Sequence, residues 1–224
     1  MPRDITSLAN CGSDGAVRTL LDAARTSDER QTAAKSLSLT PSIRYRVIAQ
    51  PANSAGPVRI PSAVMSTVAG PVLAEIVCNT DAVAAPRAGV GIAAAPAELV
   101  RSWQSALTAL RLTSAGEPVL HADDLGSLLL LAEISPAGAP ENCDLQSVGI
   151  VIRESSRIIA MLDALAASDS LRAAASTLGF HHSTVQSRAE ELSGKLGFDV
   201  RTARGRTRLS VALALYRLES VRFD

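Results

Sequence analysis

The sequence predicts an α+β chain, in which an N-terminal α/β domain is followed by an all-α, winged helix-turn-helix domain. Three observations predict it. Short apolar runs alternate with helical stripes as far as residue 134, a helix-turn-helix pattern occupies residues 168–193, and a glycine flanked by arginines follows at 198–209.

Residues 1–15 are polar and glycine-bearing and read as a flexible lead-in. Val17, Leu20, Leu21 and Ala24 fall at helical spacing, and after a charged break Ala33, Ala34 and Leu37 do so again. Ile43 to Ala49 alternates and then turns apolar, as a strand does, and Pro51 to Pro57 is a loop. Pro61 to Ala69 reads as a short helix opened by a proline at its first position. Val72 to Cys78 and Ala88 to Ala93 are strands. A helix over 96–112 carries Val100, Trp103, Leu107 and Leu110 as its core stripe. Val119-Leu120 is a short strand, and Leu125 to Ile134 is a strongly apolar helix that ends a domain spanning 16–134. Pro136, Gly138 and Pro140 mark a linker over 135–146. Residues 147–167 read as one helix, with Val151, Ile158, Leu162 and Leu165 in a stripe and Ile152 and Ile159 beside it; that face suits either core packing or a second subunit.

Residues 147–224 form the second domain, and its hairpin is the most specific pattern in the chain. Leu171, Ala174, Ala175 and Leu178 share one helical face, Ser168 or Ser170 can cap its start, and Gly179 ends it in the left-handed conformation. Ser183-Thr184-Val185-Gln186 fits a Ser-x-x-Gln capping box for a second helix, whose buried face continues through Val185, Ala189, Leu192 and Leu196. The methyl side chains of Ala174 and Ala175 let the two helices cross closely. Thr184, Ser187 and Arg188 are then left pointing outward, with His181, His182, Ser183 and Gln186 around the entry. A recognition helix meets base edges with such N-terminal residues, while its amides and dipole favour phosphate. A helical pair from an ordinary core, its polar residues merely facing water, is the competing explanation. Arg201, Arg204, Arg206 and Arg208 lie around Gly205, the expected turn of a small hairpin or wing whose arginine forks would bind phosphate. Leu209, Ala212, Leu213 and Tyr216 give a closing helix.

These residues resemble a known family. Leu171-Arg172-Ala173-Ala174-Ala175, Leu178-Gly179, the run His181 to Arg188, Leu196-Gly197 and the Leu209 to Leu218 helix are similar to the DNA-binding domain of PucR/CdaR-like bacterial transcriptional regulators. There a His-x-x-Thr-x-x-x-Arg run opens the recognition helix, matched here by His181, Thr184 and Arg188; Phe180 stands where a smaller aliphatic residue is usual. LysR-type DNA-binding domains share the Leu-Arg-x-Ala-Ala and Arg-Gly-Arg features but normally sit at the N-terminus. Gly89-Val90-Gly91-Ile92, Ser102 to Leu110, and Val119-Leu120 with Asp123-Asp124-Leu125-Gly126 and Leu129-Leu130 resemble the α/β domain that precedes the helix-turn-helix in the same family, a relative of the GGDEF fold. The resemblance implies a degenerate GGDEF-like domain for regulation or oligomerisation. No Gly-Gly-Asp-Glu-Phe run is present to supply cyclase ligands.

Charge and chemistry agree with that direction. Residues 168–224 carry nine Lys/Arg against six Asp/Glu, net +3, and the remainder carries thirteen against sixteen, net −3. The positive end is the end with the motif, and its small excess calls for two copies of the domain to hold DNA tightly. Cys11, Cys78 and Cys143 are too few and too widely spaced for a disulfide framework or a zinc site. The N-terminus lacks the apolar segment of a signal peptide, and Ile60 to Ala74, the longest uncharged run, is broken by Pro61, Gly70 and Pro71. A cytoplasmic protein without membrane segments is expected. Gly89-Val90-Gly91 lacks the rest of a dinucleotide fingerprint, and His121, Asp123 and Asp124 fit the start of a helix better than a metal site. No nucleophile stands ordered with a base. The expected protein is a non-enzymatic, cofactor-free regulator binding double-stranded DNA as a homodimer or higher homo-oligomer, with any small-molecule effector left unspecified. The alternative is an adaptor whose helix-turn-helix binds another protein.

Overall fold

The computed structural model describes residues 5–54, 61–78, 83, 85–134, 142–155 and 157–223, and the chain divides into two units. Unit 1 comprises Met1–Leu130 with Val221–Asp224, and unit 2 comprises Leu131–Ser220.

Unit 1 is a five-stranded sheet with helices. Its elements are α1 (Ile5–Leu21), α2 (Ser27–Ser36), β1 (Tyr45–Pro51), β2 (Ser62–Thr67), β3 (Gly70–Cys78), β4 (Ala88–Val90), α3 (Leu99–Leu112), β5 (Val119–His121), α4 (Ala122–Leu125) and α5 (Leu128–Ile134), which runs on past the unit boundary. The strand order is β2-β3-β1-β4-β5; β1 pairs antiparallel with β3 and β4, β2 antiparallel with β3, and β4 parallel with β5. Parallel strands need a crossover, and α3 supplies it. The alternating residues Val47, Ala49, Val72, Ala74 and Ile76 turn one sheet face toward Val17, Leu20 and Leu21 of α1 and toward Leu99, Trp103, Ala106 and Leu110 of α3. Phe223 joins the same core, its amide donating to the Ala69 carbonyl and its ring lying 5.2 Å beneath the Arg87 guanidinium.

Several expectations are corrected here. The lead-in is not loose from residue 5 onward, because α1 begins at Ile5. Residues 62–67 form a strand rather than a helix: β-branched Val64 and Thr67 favour the extended backbone, and Gly70, at φ 111°, lets the chain fold back onto β3. The hairpin is fastened by the Thr67 hydroxyl, which donates to the Gly70 carbonyl at 2.7 Å. The apolar helix over 125–134 is two short helices parted at Gly126. Most of the expected linker, 135–141, lies outside the described residues, and its last residues are helical. Asn142 caps α6 (Cys143–Glu154), its side chain accepting from the amides of Asp144 and Leu145.

Every regular element among the described residues of unit 2 is a helix. α6 is followed by α7 (Ile158–Ala167), α8 (Leu171–Leu178), α9 (His182–Leu196) and α10 (Ala203–Ser220). The single helix expected over 147–167 is therefore two. The chain bends at Ser155, so that Val148 and Val151 on one side and Met161, Leu162 and Leu165 on the other reach one core together with Ala174, Val185, Leu192, Val200, Leu209 and Leu213. No described helix is long and apolar enough to cross a membrane.

Candidate nucleic-acid interface

α8 and α9 assemble from local signals. Ser170 accepts from the Ala173 amide at 3.2 Å and so caps α8. Gly179, at φ 67°, ends α8 in the left-handed region and allows the Phe180 amide to reach back to the Ala175 carbonyl. The capping box expected at Ser183 is not the start of α9. His181 holds the cap position, its ring nitrogen accepting from the Ser183 amide at 3.4 Å and lying 2.8 Å from the Ser183 hydroxyl. The helix thus begins earlier and brings His182 into its first turn. Val185, Ala189, Leu192 and Leu196 are buried as the spacing required, and Ala174 and Ala175 are buried on α8.

All seven polar residues expected at the recognition end, His181, His182, Ser183, Thr184, Gln186, Ser187 and Arg188, are exposed. At 3.6 residues per turn, Ser183 and Ser187 project roughly opposite the buried stripe, Thr184 and Arg188 lie on one flank, and His182 and Gln186 on the other. The first two turns therefore offer small hydroxyls, two imidazoles, an amide and one guanidinium. Further along the same face come Glu190 and Gly194, so the second half of the helix carries acidic charge.

Arg188 is engaged with Glu191 at 3.1 Å, and Glu191 also pairs with Lys195 at 3.4 Å, which in turn meets Glu154 of α6 at 2.7 Å. The hydrogen bonds from Lys195 and then Arg188 hold the Glu191 carboxyl below its ordinary value, and Glu154 raises the Lys195 ammonium. The sequence reading missed this network, although Arg188, Glu191 and Lys195 stand at three- and four-residue spacings that would have revealed its part within α9.

The arginine segment is not a wing. Ala203–Ser220 is a helix, and Arg204, Arg206 and Arg208 lie in its first turns. Gly205 is buried, and a Cβ there would lie 2.7 Å from the Asp199 carbonyl carbon, 3.0 Å from the Thr202 hydroxyl and closer still to the Asp199 carbonyl oxygen. The glycine serves a close approach of helix to loop, which in sequence looks the same as a turn glycine. Thr202 caps α10 by accepting from the Gly205 amide at 3.0 Å. Arg201 is bound bidentately to Asp199 at 2.8 and 3.0 Å, and its hydrogen bonds bring the Asp199 carboxyl down to about 2. Arg206 donates to the Arg201 carbonyl at 2.7 Å. Arg208 grips Asp144 of α6 at 2.9 and 2.6 Å and stacks over Phe198 at 4.4 Å, holding the Asp144 carboxyl below its usual range. Arg204 is exposed and makes no ion pair among the described residues. Of the four arginines, three thus secure the turn between α9 and α10 or its packing on α6.

The other constellations have structural explanations. A Cβ on Gly89 would run into the backbone of Ala106 and Leu110, and one on Gly91 would lie 2.7 Å from the Ser102 carbonyl carbon, so both glycines admit α3 against the sheet. Ser102 completes that contact, its hydroxyl accepting from the Val47 amide at 2.9 Å. Asp123 pairs with Arg46 at 2.6 Å. Among the described residues no three His, Cys, Asp or Glu side chains are grouped to hold a metal ion.

Comparison with known proteins singles out the same segment. Residues 159–215 match the family model of the PucR C-terminal helix-turn-helix domain. No curated protein matches the chain. Among solved structures the chain is similar to a regulator of polyketide synthase expression from Bifidobacterium adolescentis, with 16% identity, a TM-score of 0.39, and coverage of 94% of this chain and 99% of that one.

Proposed function

We propose that this chain, carrying a helix-turn-helix of the PucR C-terminal type over residues 159–215, is a transcriptional regulator that reads a duplex DNA site as a homodimer. The observation that carries the reading is the coincidence of that match with the exposed polar end of α9. Ser183, Thr184, Ser187 and Arg188 would meet base edges, with His181, His182 and Gln186 sharing base and phosphate contacts. Arg204 is the basic side chain of α10 best free to take a phosphate, while Arg201, Arg206 and Arg208 would have to give up internal partners to do so. The small positive excess of this end supports a pair of domains on one operator. A cytoplasmic location and a degenerate GGDEF-like role for unit 1 in regulation or self-association belong to the same reading. No enzymatic step enters it.

The test is binding of the full chain to duplex from its own upstream region and to random duplex, at two salt concentrations, with the oligomeric state followed by sedimentation. Preferential binding that weakens with salt and places two chains on one duplex is expected. Absence of salt-dependent duplex binding would overturn the reading in favour of a protein-binding helix-turn-helix.

A further inference from the structure

The bend between α6 and α7, the turn between α8 and α9, and one flank of α9 enclose a cavity of about 680 Å³ within unit 2. Its floor is apolar and buried: Val151, Met161 and Leu192. Its walls are Ile158, Leu178 and Phe180, and Phe180 stays 53% exposed although it is a large aromatic side chain. An exposed ring beside an apolar hollow gains by being covered. The volume falls in the range of small-molecule sites.

The rim decides the class of ligand. Arg157, Arg188 and Lys195 line it against two carboxylates, Glu154 and Glu191. Those carboxylates are shared between Lys195 and Arg188, as the distances above show, whereas Arg157 makes no ion pair among the described residues. We infer that this cavity binds a small amphipathic carboxylate, its apolar body seated on Phe180, Ile158 and Leu178 and its carboxylate taken by Arg157. Because Arg188 stands on the same rim and in the proposed recognition set, an occupied cavity would also alter the side chain offered to DNA. That last consequence rests on the DNA-binding reading; the binding itself does not.

The experiment titrates the full chain, without DNA, with phenylpropionate and with its uncharged analogue phenylpropanol, by calorimetry and by amide chemical shifts. Phenylpropionate should bind at least about tenfold tighter than the alcohol and shift the amides around Phe180 and Arg157. Arg157→Gln should erase that preference, and Phe180→Ser should weaken both compounds while far-UV circular dichroism shows an intact fold. Equal affinity for the two compounds, no binding by either at about 1 mM, or shifts confined to other residues would overturn the proposal. It would also be overturned if sedimentation showed that Phe180→Ser dissociates a dimer, since a second copy would then be the occupant. Repeating the titration with a bound duplex tests the coupling separately, so failure of DNA binding and failure of the cavity remain distinguishable.

Discussion

Gly205 and Gly194 both lie in helices of unit 2, yet alanine should act on them in opposite directions. In a helix interior alanine is favoured over glycine by about 0.5–1 kcal/mol, through the smaller backbone entropy it loses on folding. Nothing lies within 4 Å of a Cβ on Gly194, so the full gain should appear there. At Gly205 the added methyl meets the Asp199 carbonyl, which is held by the Thr202 amide and hydroxyl and cannot move without disturbing the cap of α10. Overpacking of this kind costs about 1–3 kcal/mol, more than the propensity gain. For a unit of this size 1 kcal/mol corresponds to about 4–8 °C, so Gly205→Ala should lower the thermal midpoint by several degrees and Gly194→Ala should raise it by a few. Thermal unfolding of the full chain, followed by circular dichroism, reads both. A Gly205→Ala variant as stable as the parent, or more so, would show that the helix does not press on the loop and that the arginine segment has another conformation.

Three further outcomes follow from the site. Arg204→Gln should reduce the salt dependence of duplex binding by about one unit of the log–log slope, whereas Arg208→Gln should leave the slope unchanged and lower the thermal midpoint, because its partners are Asp144 and Phe198. Glu191→Gln should strengthen binding to both duplexes, and to the specific one more, since it removes a negative charge from α9 and frees Arg188; gel-shift titration measures this. Asp199 has a folded-state value of about 2, lowered from 3.8 by Arg201, so the stability it contributes is present above the higher value and lost as pH falls toward the lower. The midpoint difference between the parent and Asp199→Asn should therefore be constant near neutral pH and narrow below about pH 4.

The hairpin was legible because its signals are local. An apolar stripe at helical spacing, a serine cap, Gly179 and two alanines specify α8 and the turn without reference to the rest of the chain. The strand at 45–51 was legible from the alternation that opens it, and those at 70–78 and 88–90 from short apolar runs, for the same reason. What was misread depended on distant partners. Gly205 looked like a hairpin turn because the Asp199 carbonyl that requires it is known only in three dimensions. The 62–67 strand looked helical because Pro61 fits a helix start and the pairing with β3 that overrides it is a tertiary effect. The bend at Ser155 carries no breaker residue; it arises because two apolar stripes must face one core. The site itself was legible in its residues but not in their engagements. Arg201, Arg206 and Arg208 are arginines in a motif-like run, and only their partners show that they fasten the unit together.

The most direct measurement compares Ser187→Ala and Arg188→Ala with the parent chain on specific and on random duplex at one salt concentration. Loss of affinity for the specific site, about 1–3 kcal/mol for Arg188→Ala, with random binding nearly unchanged, is what base contacts from the first turns of α9 predict. Equal loss on both duplexes, or none on either, would contradict the claim that this end of α9 reads DNA.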